Sequence, residues 1–282
     1  MCRSLLNNVV FLDFETTGLV PEEGAEIIEI GAVKIKNNEY SEYHKLVRPK
    51  GEIPEVVFNL CKGLREDSEK IYNGPSIEEV KDEFLLFLEE LPLICHNAAF
   101  EKKFIKKYID PHIEEKKELL DSCELACLLE PQFSHHNLNY LKQKLFYTAE
   151  LESHRALEDC YDTIGVVKQL VQRQSKKQLE EILDYLGEEW CWGKYLDLDI
   201  NFYDVNKSCF QGNNYNEKLN KLYEDGTYEG NLQKKIALQY IKNWYHYCGD
   251  RSLKEMSYWF RKNNPYVDEV MRELLYEGNY CE

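Results

Sequence analysis

A mixed α/β layer fold, a sheet of five strands covered by helices and followed by a smaller α-helical region, is the class this sequence predicts. Three observations point there. β-type runs rich in Val, Ile and Phe crowd the first 50 residues. Short apolar β-type runs then alternate with segments whose apolar residues recur at helical spacing, and beyond about residue 175 only the helical spacing persists.

Taken in order, NNVVFLDFE reads as a buried strand followed by TTGLVPEEG, a turn marked by Gly and Pro. EIIEIGAVKI and EYHKLVR are two further strands joined by the polar turn KNNEYS, so the three form an antiparallel meander. In SIEEVKDEFLLFLEEL the apolar positions Ile77, Val80, Phe84, Phe87, Leu88 and Leu91 share one helical face. Ser76 and Glu79 make a capping box at its start. PLICHN is a short apolar strand, the next helix runs from Ala99 to about Tyr108, and ELLDS is a strand leading into CELACLLE. NLNYLKQKL and HRALEDCYDTIGVVKQLVQRQ close this part as helices.

The 282 residues suffice for one full core and a second, smaller unit. The expected division is 1–175 and 176–282. All four tryptophans (Trp190, Trp192, Trp244, Trp259) fall in the second part. Leu232, Ile236, Tyr240, Trp244 and Tyr247 make one helical stripe there; Val267, Val270, Met271, Leu274 and Leu275 make another. Ser252 with Glu255 is a second capping box, and Asn264-Pro265 a helix start. An aromatic-rich helical region of this kind suits docking of a protein partner.

The formal net charge is −16, and neither part is basic. Long-range attraction to phosphate is therefore weak, and contact with a polyanion would depend on metal ions and short-range groups. Ten cysteines are scattered with no CxxC pair, several inside apolar runs, the pattern of reduced core thiols. No run of about 18 apolar residues exists, so no membrane partner is expected and the protein reads as cytoplasmic.

Asp13 and Glu15 carry the chemistry. One residue apart on a strand, they share a face. Two carboxylates on an otherwise apolar strand repel and lose hydration unless a cation lies between them; the bland alternative is a strand end reaching solvent. Hard divalent cations take oxygen ligands gathered from several elements. Two such ions can neutralise the attacking and leaving oxygens of a phosphodiester.

With its neighbours, the segment FLDFETTGL resembles the first motif of the DEDDh 3′→5′ exonucleases, the family of the proofreading subunit of bacterial replicative polymerase, RNase T and oligoribonuclease. EIIEIGAVKI resembles that family's second strand, and HKLVRPKGEIPEVVFNLCKGL its following loop. ICHNAAFEKKFI resembles the second motif, and SHRALEDC the third. The resemblance runs from residue 8 to about 173 and implies an RNase H-like fold. It also implies metal-dependent 3′→5′ hydrolysis of DNA or RNA with two divalent ions, Mg²⁺ or Mn²⁺. Asp13, Glu15 and Asp159 would be ligands and His154 the general base, a role that suits an imidazole near neutral pH. The family's second-motif Asp is Glu101 here, one methylene longer. Three outcomes stay open: a shifted helix that compensates, a weakened second ion, or a nuclease fold reduced to a nucleic-acid or protein binding module.

By the same resemblance Thr16, Thr17, Gly18 and Leu19 would line the pocket for the terminal nucleotide, with Phe100 stacking on it. Phe100 is equally explained as a core anchor of its helix. Asn97 either orients a ligand or holds the chain turn. Asp121 reads as a helix N-cap, His135-His136 as a solvated pair, and Lys102, Lys103, Lys106 and Lys107 as a solvated helix face that could also meet phosphate.

Overall fold

Strands form where the sequence alternates or runs apolar: β1 (Val9–Thr16), β2 (Ile27–Lys36), β3 (Glu39–Leu46), β4 (Leu93–Cys95) and β5 (Leu119–Asp121). In the computed structural model, which describes residues 6–146, 155–196, 215–226, 228–249 and 255–275, they build one sheet of order β3-β2-β1-β4-β5. β1, β2 and β3 pair antiparallel, while β1, β4 and β5 run parallel. Asn37 and Asn38 turn β2 into β3 with φ of 53° and 64°, the left-handed pair that a two-residue hairpin requires and Asn tolerates. The parallel strands need crossovers, supplied by α1 (Ile77–Leu88) and α2 (Ala98–Tyr108). This is the expected RNase H-like mixed sheet flanked by helices.

Alternation along β1 decides which side chains meet which layer. Val10, Leu12 and Phe14 point into a core with Val80, Phe84 and Leu88 of α1 and Phe104 and Ile105 of α2. Burying each of these large side chains contributes about 1.5–3 kcal/mol. The capping box of α1 is present, with the Ser76 N–H donating to Glu79 Oε2 at 2.7 Å. Asp13 and Glu15 take the opposite parity.

The stretch read as a family loop is more ordered than that: it holds the short helix Glu55–Leu60 and the start of another, Lys62–Glu66, and a third, Ser68–Tyr72, follows it. Val57, Cys61, Leu64 and Ile71 bury a small cluster with Ile28 and Ile53. Their spacing of four, three and seven residues was the helical signal, masked by intervening Gly and charged residues.

Beyond β5 come α3 (Ser122–Leu129), α4 (Leu138–Phe146) and α5 (Ala156–Gln172). The start of α5 lies directly on β2 at Gly31, where an added Cβ would sit 2.2 Å from the Ala156 carbonyl carbon. Only glycine permits that approach.

The chain divides into two compact units: residues 1–123, 137–168 and 195–200 form one, and 124–136, 169–194 and 201–282 the other. The second is helical among its described residues. Its helices include α6 (Lys176–Leu186), α7 (Tyr215–Glu224), α8 (Leu232–Cys248), α9 (Tyr258–Asn263) and α10 (Tyr266–Leu275). Side chains cap several of them: Ser175 for α6, Asn231 for α8 and Ser257 for α9. Asn264 Oδ1 accepts the Tyr266 N–H at 3.1 Å, as the Asn-Pro start predicts. The Ser252–Glu255 box lies partly outside the described residues.

Trp190, Trp192, Trp244, Tyr240 and Phe260 are buried, so most of the tryptophan enrichment builds a core. Tyr258, 80% exposed, is the most exposed large apolar side chain among the described residues. His136 departs from its solvated reading: it is buried, its Nε2 3.0 Å from the Glu130 carbonyl oxygen. No helix among the described residues is long and apolar enough to cross a membrane.

Candidate active site

Because β1 and β4 run parallel, their carboxyl ends open on the same edge of the sheet, the usual location of sites in α/β layers. β1 brings Asp13 and Glu15 to this edge. After β4 the chain turns through Asn97, whose backbone is left-handed (φ 78°, ψ 55°) and whose side chain makes no cap hydrogen bond to α2. The Asn97 backbone thus forms the turn, while its side chain takes no part in the cap.

Asp121, at the end of β5, supplies the missing cap. It accepts from the N–H groups of Asn97 at 3.2 Å and Ala98 at 2.8 Å, and from Cys123 at 2.8 Å at the start of α3. One carboxylate therefore satisfies orphan donors at two helix starts. It also fixes the first turn of α2, which carries Glu101.

Asp159 enters from the first turn of α5, its N–H donating to the Arg155 carbonyl at 2.9 Å. Asp13, Glu15 and Asp159 each place a carboxylate oxygen within 4.8 Å of the others. Glu101 does not join that trio. It is 2% exposed, and its Oε2 has no hydrogen-bond partner among the described residues. Its charge is nonetheless the foremost one acting on Asp13.

The cluster's proton affinities follow. Burial, then the charges of Glu101, Asp159 and Glu15, push the Asp13 carboxyl well above the usual range. Burial pushes Glu15 up to about 7, against the hydrogen bond from the Cys61 thiol at 3.2 Å and with the help of Glu29. Burial and then Glu15 push Asp159 to about 8. Glu101 is raised by burial and by Asp121 and Glu15, although a backbone hydrogen bond opposes this. So many carboxyls held short of cation and hydration fit a hard divalent ion, and the all-oxygen donor set suits Mg²⁺ or Mn²⁺ better than a soft metal.

Sequence reasoning missed one group beside the cluster. Glu29, opposite Glu15 in the β1–β2 register, is fully buried. It meets His44 Nε2 at 2.6 Å and Arg155 Nε at 3.0 and 3.1 Å. Arg155 also reaches Asp67 at 3.0 Å. Burial alone would raise Glu29, yet the hydrogen bonds from His44 and Arg155 hold it below its ordinary value.

Thr16 and Thr17 shape the turn after β1: the Thr16 hydroxyl donates to the Gly18 carbonyl at 2.7 Å, and Thr17 Oγ1 accepts the Glu26 N–H at 2.8 Å. Leu19 is 76% exposed at the tip of that turn, free to meet a ligand. Phe100 is partly buried against the α2 core, its ring 4.9 Å from that of Phe104, which favours its anchoring role. Lys102 and Lys106 share the single carboxylate of Glu114, and Lys107 donates to the uncharged Pro21 carbonyl, so this helix face keeps a net positive charge. His154 lies outside the described residues.

An acid cluster of this composition, at the carboxyl edge of an RNase H-like sheet, defines the class: a nuclease-type phosphodiester hydrolase. Residues 10–167 match the exonuclease family of RNase T type, and the chain belongs to that family. Among similar proteins is the PolC-type DNA polymerase III of Thermotoga maritima, 35% identical over 188 residues, covering 62% of this chain and 13% of that protein. Another is its counterpart in Clostridium perfringens, 33% identical over 202 residues, 70% of this chain and again 13% of the relative. The chain thus spans about an eighth of the curated relatives it matches. A solved structure of exonuclease X in complex with 5′ overhanging duplex DNA aligns with TM-score 0.45 and 21% identity, over 67% of this chain and 98% of that one.

Proposed function

We propose that this chain removes nucleotides stepwise from the 3′ end of DNA or RNA. Asp13, Glu15 and Asp159 would hold divalent ions, with Glu101 completing a second ion's shell and His154 as general base. The observation that carries the reading is the convergence of the Asp13, Glu15 and Asp159 oxygens within 4.8 Å, in a chain of the exonuclease family. A pair of bound ions supplies charge neutralisation at the attacking and leaving oxygens.

The chain's own groups do the rest. The three carboxylates gather the cations, and His154 accepts the proton of the attacking water. The Thr16–Leu19 turn covers the terminal nucleotide, with Leu19 against its base. Every named residue lies before residue 160, so the catalytic assignment goes to residues 1–175. Residues 176–282 are accessory; partner docking there has Tyr258 as its exposed candidate. The DNA polymerase names of the relatives favour DNA over RNA.

The test is trimming of a single-stranded oligonucleotide labelled at its 5′ end, with Mg²⁺ or Mn²⁺, by wild type beside Asp13→Ala. A ladder of shortened labelled products from wild type alone supports the reading. Release of a labelled mononucleotide in one step would reverse the polarity. Absence of trimming in both proteins would favour the alternative, a nucleic-acid or protein binding module, which the unpartnered Glu101 oxygen and the acidic surface also allow.

A further inference from the structure

Glu29 is a charged side chain without exposed surface in the interior of β2. Its partner Arg155 spends three contacts on it, from Nε at 3.0 and 3.1 Å and from Nη2 at 3.0 Å, while Nη1 reaches Asp67 at 3.0 Å. His44 closes the other side at 2.6 Å. Fold stability does not explain such an arrangement, because desolvation of a buried ion pair commonly equals or exceeds the attraction regained. Placement does. The Arg155 carbonyl accepts the Asp159 N–H at 2.9 Å and so begins the helical turn that carries Asp159.

Independent contacts press the same point of the chain onto β2. The Ala156 backbone abuts Gly31 so closely that no Cβ fits, and the Cys160 thiol donates to the Gly31 carbonyl at 3.2 Å. Gly63 leaves room for the arginine stem, since a Cβ there would lie 3.1 Å from Arg155 Cδ. The guanidinium is thus held between Glu29 of β2 and Asp67 among the short helices.

We propose that Glu29 and Arg155 are positioning residues for hydrolysis. Their ion pair locks the start of α5 against β2 and thereby sets Asp159 at ligand distance from Asp13 and Glu15. Neither residue touches the reacting atoms. The inference rests on the ion-site reading above and adds to it the group that fixes the geometry.

The experiment compares Glu29→Gln, Arg155→Lys and Arg155→Ala with Asp13→Asn in the full chain. Glu29→Gln keeps size and removes charge; Arg155→Lys keeps charge and removes the planar fork. Mn²⁺ binding to ion-free protein is read by calorimetry, kcat and KM by oligonucleotide trimming, and folding by thermal unfolding. In Glu29→Gln and Arg155→Ala, Mn²⁺ affinity and kcat are expected to fall about 10- to 100-fold, as for groups that orient metal ligands. KM should stay within about threefold, and Arg155→Lys should fall between wild type and Arg155→Ala. Folded variants with wild-type Mn²⁺ affinity and kcat overturn the proposal. Should Glu29→Gln and Arg155→Ala fail to fold, Arg155→Lys decides alone, and wild-type values in it overturn the proposal. Loss of Mn²⁺ binding in Asp13→Asn beside full retention in the clamp variants refutes the clamp and spares the ion site. Retention in Asp13→Asn refutes the ion site itself.

Discussion

Replacing Gly31 by alanine tests whether the active site depends on the seating of α5. The added methyl would lie 2.2 Å from the Ala156 carbonyl carbon, 2.3 Å from the Leu157 nitrogen and 2.5 Å from the Ala156 oxygen. All three are backbone atoms, so no side chain can swing away; reaching ordinary carbon contact of about 3.5 Å requires the helix start to move by about 1 Å. Overpacking of this kind costs about 1–3 kcal/mol of stability. A shift of that size in a ligand-bearing helix costs about 100-fold in rate. Thermal unfolding and end-labelled trimming read the two effects separately. Gly51→Ala is the control: no atom lies within 4 Å of the place its methyl would take and its backbone is not left-handed, so it should match wild type. A folded Gly31→Ala protein with wild-type kcat/KM would show that the site tolerates movement of α5 and would remove the basis of the reasoning.

Glu101→Asp is expected to keep or raise trimming activity, whereas Glu101→Ala should remove most of it; full activity in the alanine variant would exclude Glu101 from the ion shell. Glu15 and Asp159 have carboxyls raised to about 7 and about 8. The ion-free protein therefore holds their stabilising contribution in full below the unfolded carboxylate range and loses it as pH rises through 7 to 8. Its melting temperature should fall across that window, and added Mg²⁺ should raise it more at pH 8 than at pH 6. An ion effect independent of pH would contradict this assignment. Asp121→Ala removes acceptors for three N–H groups at two helix starts and should lower stability by about 1–2 kcal/mol, by thermal unfolding. Trimming should weaken as well, because the turn carrying Glu101 loses its anchor.

The cluster was legible where local pattern suffices. Alternation placed Asp13 and Glu15 together on β1, and the Ser76–Glu79 box and the Asn-Asn turn were readable from adjacent residues. Glu29 was not. In EIIEIGAV the second glutamate looks like an ordinary solvent-facing strand position, and only the pairing of β1 with β2 and the arrival of α5 reveal that it is covered. Arg155 was hidden for the same reason, since its partners lie 126 and 88 positions away along the chain. Trp244 and Trp192 misled in the other direction: composition suggested a sticky surface, but residue type does not say which face an aromatic takes, and both turn inward. Asp121 was legible as a cap, though its second helix was visible only once β4 and β5 lay side by side.

The interleaving of the two units has a consequence for synthesis. Within the second unit, Asn243 Nδ2 donates to the Leu128 carbonyl across 115 residues, and the Cys127 and Ser257 side chains meet at 3.4 Å across 130. The β1–β2–β3 meander, by contrast, closes over short loops. At about 5–20 residues per second, a ribosome leaves the Cys127 thiol and the Leu128 carbonyl waiting on the order of ten seconds for Ser257 and Asn243. That interval is a window for chaperone capture of a nascent chain whose sheet has already begun to form.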